Sequence, residues 1–384
     1  MMSLPCFRSL ARIARPRLLR LTRNFTVLAI ESSADDTCAA VVTSSRQILS
    51  NVVIKQHELH EEYGGIYPPT AIHAHQRNMP FAVKRALSEA NVDIIRDIDG
   101  IAVTRGPGMP GCLSVGTNAA KTLAAALNKP LVGVHHMQGH ALTAIFTSES
   151  GTIKFPFLTL LISGGHTLLL LATDHHSFRI LATTEDESIG RTFDKVSKLL
   201  ALKWTALGPG DALEKFCAEE ADEAPVEIPP ITRPLIGKMQ FSYSGLHSNI
   251  ERFVHRAGGI ENIDISTKRA LARAFQEAAV KQLEEKVLLA LQSCRQKGIH
   301  IQNLVVSGGV ASNHYLRGRL QQCVITESAN QNSPISLVFP PPYLCTDNAV
   351  MIGWASMHRF LAGDYDDYGV ELQPKWSIED LLIL

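Results

Sequence analysis

The chain has 384 residues, enough to bury a sizeable core and usually to form two domains. Its 37 basic and 37 acidic residues cancel, 45% of residues are apolar and 19% are charged. That balance excludes a disordered chain and gives no support for nucleic-acid binding through bulk charge. No apolar run reaches the roughly 18–20 residues that a membrane helix needs, so no membrane partner is expected. The seven cysteines are scattered without a C-x-x-C pair, as in a reducing compartment.

The first 25 residues stand apart. They hold Arg8, Arg12, Arg15, Arg17, Arg20 and Arg23, with Leu and Ile between them and no acid before Glu31. Arg-rich, acid-poor and amphipathic sequence of this kind is typical of a mitochondrial transit peptide, which places the protein in the mitochondrial matrix. The competing reading is a basic arm for nucleic acid or a membrane surface. Without these six arginines, 37 − 6 = 31 basic residues face 37 acidic ones, a net charge near −6. Any nucleic-acid site on the remaining chain is then a local patch. Arg252, Arg256, Lys268, Arg269, Arg273, Arg317 and Arg319 are the candidates.

From residue 26, β-rich runs and helical periodicities alternate. Strands are expected at 26–31, 39–44 and 47–54, then a helix at 71–90, a strand at 99–104, a helix at 112–127 and a strand at 131–134. The pattern restarts with strands at 157–163, 167–172 and 178–183. Helical insertions follow, then a long helix at 266–297 with Ser266 as the expected N-cap. The chain closes with a strand at 303–307, a helix at 312–322, a strand at 335–339 and a helix at 347–361. The order β-β-β-α-β-α-β occurs twice, which predicts an α/β fold of two similar lobes around a cleft. The expected divisions are a leader at 1–25, a first lobe at 26–150, a second lobe at 151–346 and a C-terminal helix and tail at 347–384 that returns to the first lobe.

Several turns follow strands. AIESSADDT (29–37) ends the first strand with a carboxylate and two serines, and TRGPGMPGCLSVG (104–116) is a candidate cleft wall. LISGGHT (161–167) and VVSGGVASN (305–313) both carry Ser-Gly-Gly. Tight glycine turns let backbone N–H groups approach an anion, although hairpins use Gly-Gly for purely structural reasons. The two Ser-Gly-Gly turns are expected at matching places in the two repeats, clamping a nucleotide between lobes. In VHHMQGH (134–140), His136 and His140 are four residues apart. If a helix starts here, both imidazoles share one face and suit a divalent metal; hydrogen-bonded core histidines are the plain alternative. No H-E-x-x-H is present, so the metalloprotease pattern is missing. Asp347, at another strand-to-helix junction, is a distant candidate third ligand.

Eight motifs, IESSADDT, RGPGMPGCLSVG, VHHMQGH, LISGGHT, FDKVSKLL, FSYSGLHS, VVSGGVASN and CTDNAVMIG, occur in the order seen in the tRNA N6-threonylcarbamoyladenosine transferases. The chain resembles the mitochondrial branch of that family. The resemblance implies a duplicated actin/hexokinase/Hsp70-like fold, in agreement with the two repeats. It also implies transfer of a threonylcarbamoyl group from threonylcarbamoyl-adenylate, made by a separate synthase, to an adenosine beside the anticodon of tRNA. His136, His140 and Asp347 would hold one divalent metal ion, Zn or Fe. Leu161, Ile162, Ser163, Gly164, Gly165, Asp194, Gly210, Glu214, Ser312 and Asn313 would contact the adenylate. No side chain is assigned as a catalytic nucleophile, Cys112 and Cys345 being bystanders, and a homodimer is implied. Three positions depart from the family pattern: Ala34 stands where Cys is usual, Gln138 where Glu is common, and LGPGD replaces a Pro-Gly-Gly turn. The competing functions are a metallopeptidase, an ATP-dependent sugar kinase and a non-catalytic nucleotide-binding scaffold.

Overall fold

A computed structural model describes residues 24–381, apart from 64, 206, 221–225 and 332–333. The six leader arginines lie outside the described residues.

The first lobe is a five-stranded sheet in the order β3-β2-β1-β4-β5. Its strands are β1 (Thr26–Glu31), β2 (Thr37–Thr43), β3 (Ile48–Ile54), β4 (Gly100–Gly106) and β5 (Leu131–His135). The first three form an antiparallel meander, and β4 and β5 run parallel to β1 and to each other. Every residue of β1, β2 and β5 is buried, as expected for strands covered on both faces. One face is covered by α2 (Pro68–Glu89) and α3 (Pro110–Ala126), which follow the short α1 (His57–His60). The long helices begin three and two residues earlier than the apolar periodicity indicates. Proline occupies their first helical positions, where its missing N–H costs nothing.

The second lobe repeats the pattern in the order β10-β9-β6-β7-β8. It comprises β6 (Phe157–Ile162), β7 (Thr167–Ala172), β8 (Phe178–Thr183), β9 (Asn303–Ser307) and β10 (Ser336–Val338). Strands β6, β7 and β8 are antiparallel, whereas β9 is parallel to β6 and β10 to β9. The insertions are α5 (Ile189–Leu199), α6 (Pro209–Ala218) and α7 (Ser244–Arg256), packed with the long α8 (Ile265–Gln296). Asp264, not Ser266, caps α8: its Oδ1 accepts the Thr267 N–H at 2.8 Å, and the Ser266 hydroxyl donates to the same carboxylate. Helix α9 (His314–Gln331) runs past the expected end at 322, through turns that carry no apolar stripe to mark them as helical.

Two helices lie between the sheets: α4 (His136–Thr147) and, after the single turn α10 (Pro342–Cys345), α11 (Ala349–Ala362). They share one apolar cluster with Val27, Ala40 and Val132 of the first sheet and Phe157, Leu170 and Val305 of the second. The tail returns to the first lobe, where Asp366 N–H bonds Leu131 O and Gln373 N–H bonds Arg105 O. It then reaches β8, where Glu379 accepts the Ile180 N–H.

This topology corrects the expected placement of the glycine turns. Ser163–Gly165 follows β6 and Ser307–Gly309 follows β9, so both belong to the second lobe. Their first-lobe counterparts are Glu31–Ser33 after β1 and Gly106–Gly108 after β4. All four lie at strand carboxyl ends, where open α/β sheets bind ligands.

Candidate active site

The end of β5 passes directly into α4, so His136 is the first residue of a helix. His140 follows one turn later, and the two rings meet edge to face with centroids 4.8 Å apart. Asp347 arrives from the other direction, in the short link between α10 and α11. Its Oδ1 is 3.1 Å from His140 Nε2 and 3.5 Å from His136 Nε2. One ligand atom from each of the three residues fits within a 4.8 Å span. Both histidines are buried, while a quarter of the Asp347 side chain is exposed. The site is thus closed on the helix side and open at the aspartate.

Glu31, absent from the sequence-derived site set, completes the arrangement. It is fully buried at the end of β1, with Oε2 3.2 Å from His136 Nδ1. Its Oε1 accepts the Ser33 N–H at 2.6 Å, and Thr104 donates its hydroxyl to Oε2. A carboxylate on one imidazole nitrogen leaves the other nitrogen directed at Asp347, the usual support of a metal-bound histidine. The electrostatics agree. Burial acts to raise the Glu31 pKa, but His136 outweighs it and the result is lowered. Burial likewise opposes the ionised Asp347, which His136 and His140 hold well below the usual carboxylate range. Against its own desolvation, His136 is pushed up to about 9 by Glu31 and Asp347. Burial lowers the His140 pKa, and its Nδ1 is buried without a partner. His136 Nε2, His140 Nε2 and an Asp347 oxygen, with Glu31 behind His136, form a nitrogen–oxygen donor set that suits a divalent cation, whose binding would displace the Nε2 proton of His136. The sequence signal for Glu31 was its place at the end of the first strand in IESS.

The proposed adenylate residues gather on one rim of the second lobe. Ser163 Oγ accepts from Gly165 N–H and His166 N–H, closing the first turn. A Cβ on Gly164 or Gly165 would meet no protein atom within 4 Å, so packing does not demand these glycines. The turn rests on α5, where Ser188 Oγ donates to Gly164 O at 2.5 Å. Gly308 of the second turn touches the Ile162 carbonyl, and Gly309 faces Thr346, next to Asp347. The two turns are therefore neighbours. Asp194 on α5 accepts the Gly210 N–H; burial pushes its pKa up to about 6, with Lys198 opposing. Glu214 accepts the His314 N–H at 2.6 Å, beside Asn313. Three of the ten residues serve the fold: Leu161 and Ile162 are buried in the core, and Asn313 accepts the Leu316 N–H at the start of α9. The Ser312 hydroxyl turns back to Gly309 O.

Other sequence candidates sort clearly. Cys112 and Cys345 are buried, and their thiols are pushed up by burial to about 12 and about 11, so neither is a ready nucleophile. Gln138 donates its amide to His175 O at 2.8 Å, a structural role. Of the basic residues, Arg269 pairs with Glu219, Arg273 bonds the Cys217 and Glu219 carbonyls, Arg317 bonds Ala311 O, and Arg319 forks onto Glu284. Arg252 and Arg256 remain exposed on α7.

The sequence model of the tRNA N6-adenosine threonylcarbamoyltransferase family (TsaD) matches residues 47–354. The chain belongs to that family. A mitochondrial member from Schizosaccharomyces pombe is 39% identical over 94% of this chain and 88% of its own length. A member from Clostridioides difficile is 40% identical over 91% of this chain and 98% of its own length. Among solved structures, HypF from T. kodakarensis aligns with a TM-score of 0.54 at 15% identity, over 89% of this chain and 48% of that one, a likeness of fold alone. The α/β architecture of two similar lobes expected from the repeats is the architecture found.

Proposed function

We propose that the chain transfers the threonylcarbamoyl group from threonylcarbamoyl-adenylate to N6 of the adenosine 3′ of the anticodon in mitochondrial tRNAs reading A-starting codons. The N6 amine forms a bond to the carbamoyl carbon, the bond from that carbon to the phosphate oxygen breaks, AMP leaves with the electron pair, and N6 gives up a proton. The observation that carries this proposal is the convergence of His136, His140 and Asp347 beside the second-lobe rim. The donor is a mixed anhydride and already activated, so the protein need only bind, orient and polarise it.

His136, His140 and Asp347 would hold one divalent ion, which supplies Lewis-acid polarisation of a carbonyl or phosphate oxygen when bound. Nitrogen and oxygen donors suit Zn or Fe. Glu31 fixes the His136 ring. The Ser163–Gly165 turn offers backbone N–H groups and open space for the nucleotide, with Glu214 available to the ribose hydroxyls and Asp194 holding the Gly210 turn. With Cys112 and Cys345 buried and protonated, no covalent intermediate is required. A separate synthase supplies the adenylate and the enzyme works as a homodimer. The arginine-rich leader and the mitochondrial name of the Schizosaccharomyces pombe relative support action in the matrix.

The test is to incubate residues 24–384 alone with threonylcarbamoyl-adenylate and unmodified mitochondrial tRNA. Nucleoside analysis should then find threonylcarbamoyladenosine and AMP in equal amounts; absence of product would overturn the proposal.

A further inference from the structure

His135 precedes the first proposed ligand and is itself buried, yet the mechanism above gives it no part. Its partners fix its proton. Nδ1 accepts the Met137 N–H at 3.1 Å, which caps α4. Nε2 lies 3.0 Å from the Trp376 carbonyl, which can only accept, so Nε2 carries the hydrogen. His136 shows the opposite arrangement, with Nδ1 turned to Glu31. Adjacent histidines are thus held in opposite senses, one by the C-terminal tail and one by β1.

The tail is well anchored where it does this. The Trp376 ring packs on the His135 ring at 4.8 Å and carries the Arg105 guanidinium at 5.4 Å. Arg105 also donates to Glu371 O at 2.7 Å and accepts the Gln373 N–H at 2.8 Å. Gly108 N–H bonds Pro374 O, while Met109 N–H bonds Ser33 O. Ser33 Oγ is in turn 3.2 Å from His136 Nδ1. The tail therefore reaches the metal pocket along two paths, through His135 to the start of α4 and through the loop after β4 to Ser33.

We infer that His135 is a positioning residue: tied to the Trp376 carbonyl, it sets the first turn of α4 so that His136 and His140 present both Nε2 atoms to Asp347. The 371–376 segment is then part of the metal site although it supplies no ligand. A helix whose first turn frays moves His136 before anything else, and loss of outer hydrogen bonds typically weakens metal binding about 10–100-fold.

Because this inference rests on the metal-binding role proposed above, the test separates the two. Co²⁺ affinity and the visible d–d spectrum are measured on residues 24–384 of the wild type and of His135→Ala, His135→Asn and His140→Ala, with thermal melts alongside. His135→Ala should bind Co²⁺ about 10–100-fold more weakly and show an altered band. His135→Asn restores the cap but is too short to reach Trp376 O. It should recover part of the affinity, and it carries the test if the alanine variant does not fold. In transfer assays both variants should lower kcat with KM for the adenylate little changed. Wild-type Co²⁺ affinity and spectrum in both variants, with binding lost in His140→Ala, would overturn the positioning role alone. Undiminished Co²⁺ binding in His140→Ala would overturn the metal site itself and this inference with it.

Discussion

His136 Nδ1 lies 3.2 Å from Glu31 Oε2, joining the first residue of α4 to the last residue of β1 across 105 positions of sequence. The pair is almost wholly buried, with the Glu31 side chain at 0% and that of His136 at 6% exposure. The position at the end of β1 thus controls which imidazole nitrogen faces Asp347.

Glu31→Gln tests that control. The amide keeps the shape and one acceptor but removes the charge that holds His136. Titration calorimetry with Zn²⁺ or Co²⁺ should show affinity reduced roughly 10–100-fold, with the ligand set intact. Unchanged affinity would reduce Glu31 to a packing residue.

How much of this could be seen beforehand follows from distance along the chain. The His136/His140 pair is legible because four residues make about one helical turn, given a helix that does start at His136. Asp347 is 207 residues from His140, so only the resemblance joined them. Glu31 escaped notice because its partner emerges only when β1 and β5 flank β4 in one sheet. Matching the glycine turns by their letters misplaces them, because both Ser-Gly-Gly turns lie in the second sheet. Matching by strand order would have paired Ser163–Gly165 with Glu31–Ser33.

Gly164→Val addresses the adenylate rim. Nothing in the protein lies within 4 Å of an added Cβ, so the fold should tolerate the change. The branched side chain fills the space proposed for the nucleotide. Calorimetry should show adenylate binding weakened at least tenfold with metal content unchanged; undiminished binding would remove this turn from the site.

Asp194 should trade stability for function. Burial raises its pKa to about 6, above the ordinary aspartate value of 3.8. A raised acid pKa adds stability that is complete below about 3.8 and is lost as pH rises through about 6. At neutral pH the ionised carboxylate is therefore a cost to folding. Asp194→Asn should melt higher than the wild type at pH 7.5, lose that advantage near pH 4, and bind the adenylate less well. A lower melting point at pH 7.5 would contradict the desolvation argument.

The leader should be separable from catalysis. Phe25 stacks on Phe360 with centroids 5.2 Å apart, and its N–H bonds Ser44 Oγ. Processing at Asn24 keeps these contacts, and processing at Val27 would lose them. A chain starting at Asn24 should stay outside mitochondria yet modify mitochondrial tRNA in vitro. Its tRNA affinity should fall only gently with salt, each neutralised phosphate adding roughly 0.7–0.9 to the log–log slope. Loss of activity would make the arginine-rich segment a tRNA-binding arm.

The central claim is that His136, His140 and Asp347 form a metal site required for transfer, and metal removal and return tests it most directly. Purified chain is stripped with chelator, assayed for threonylcarbamoyladenosine on tRNA, and reconstituted with increasing Zn²⁺ or Fe²⁺. Activity should vanish on stripping and return in proportion to bound metal, saturating at one ion per chain. His140→Ala should stay inactive at every metal concentration while keeping the wild-type circular dichroism spectrum. Full transfer by the stripped enzyme, or by folded His140→Ala, would contradict the account.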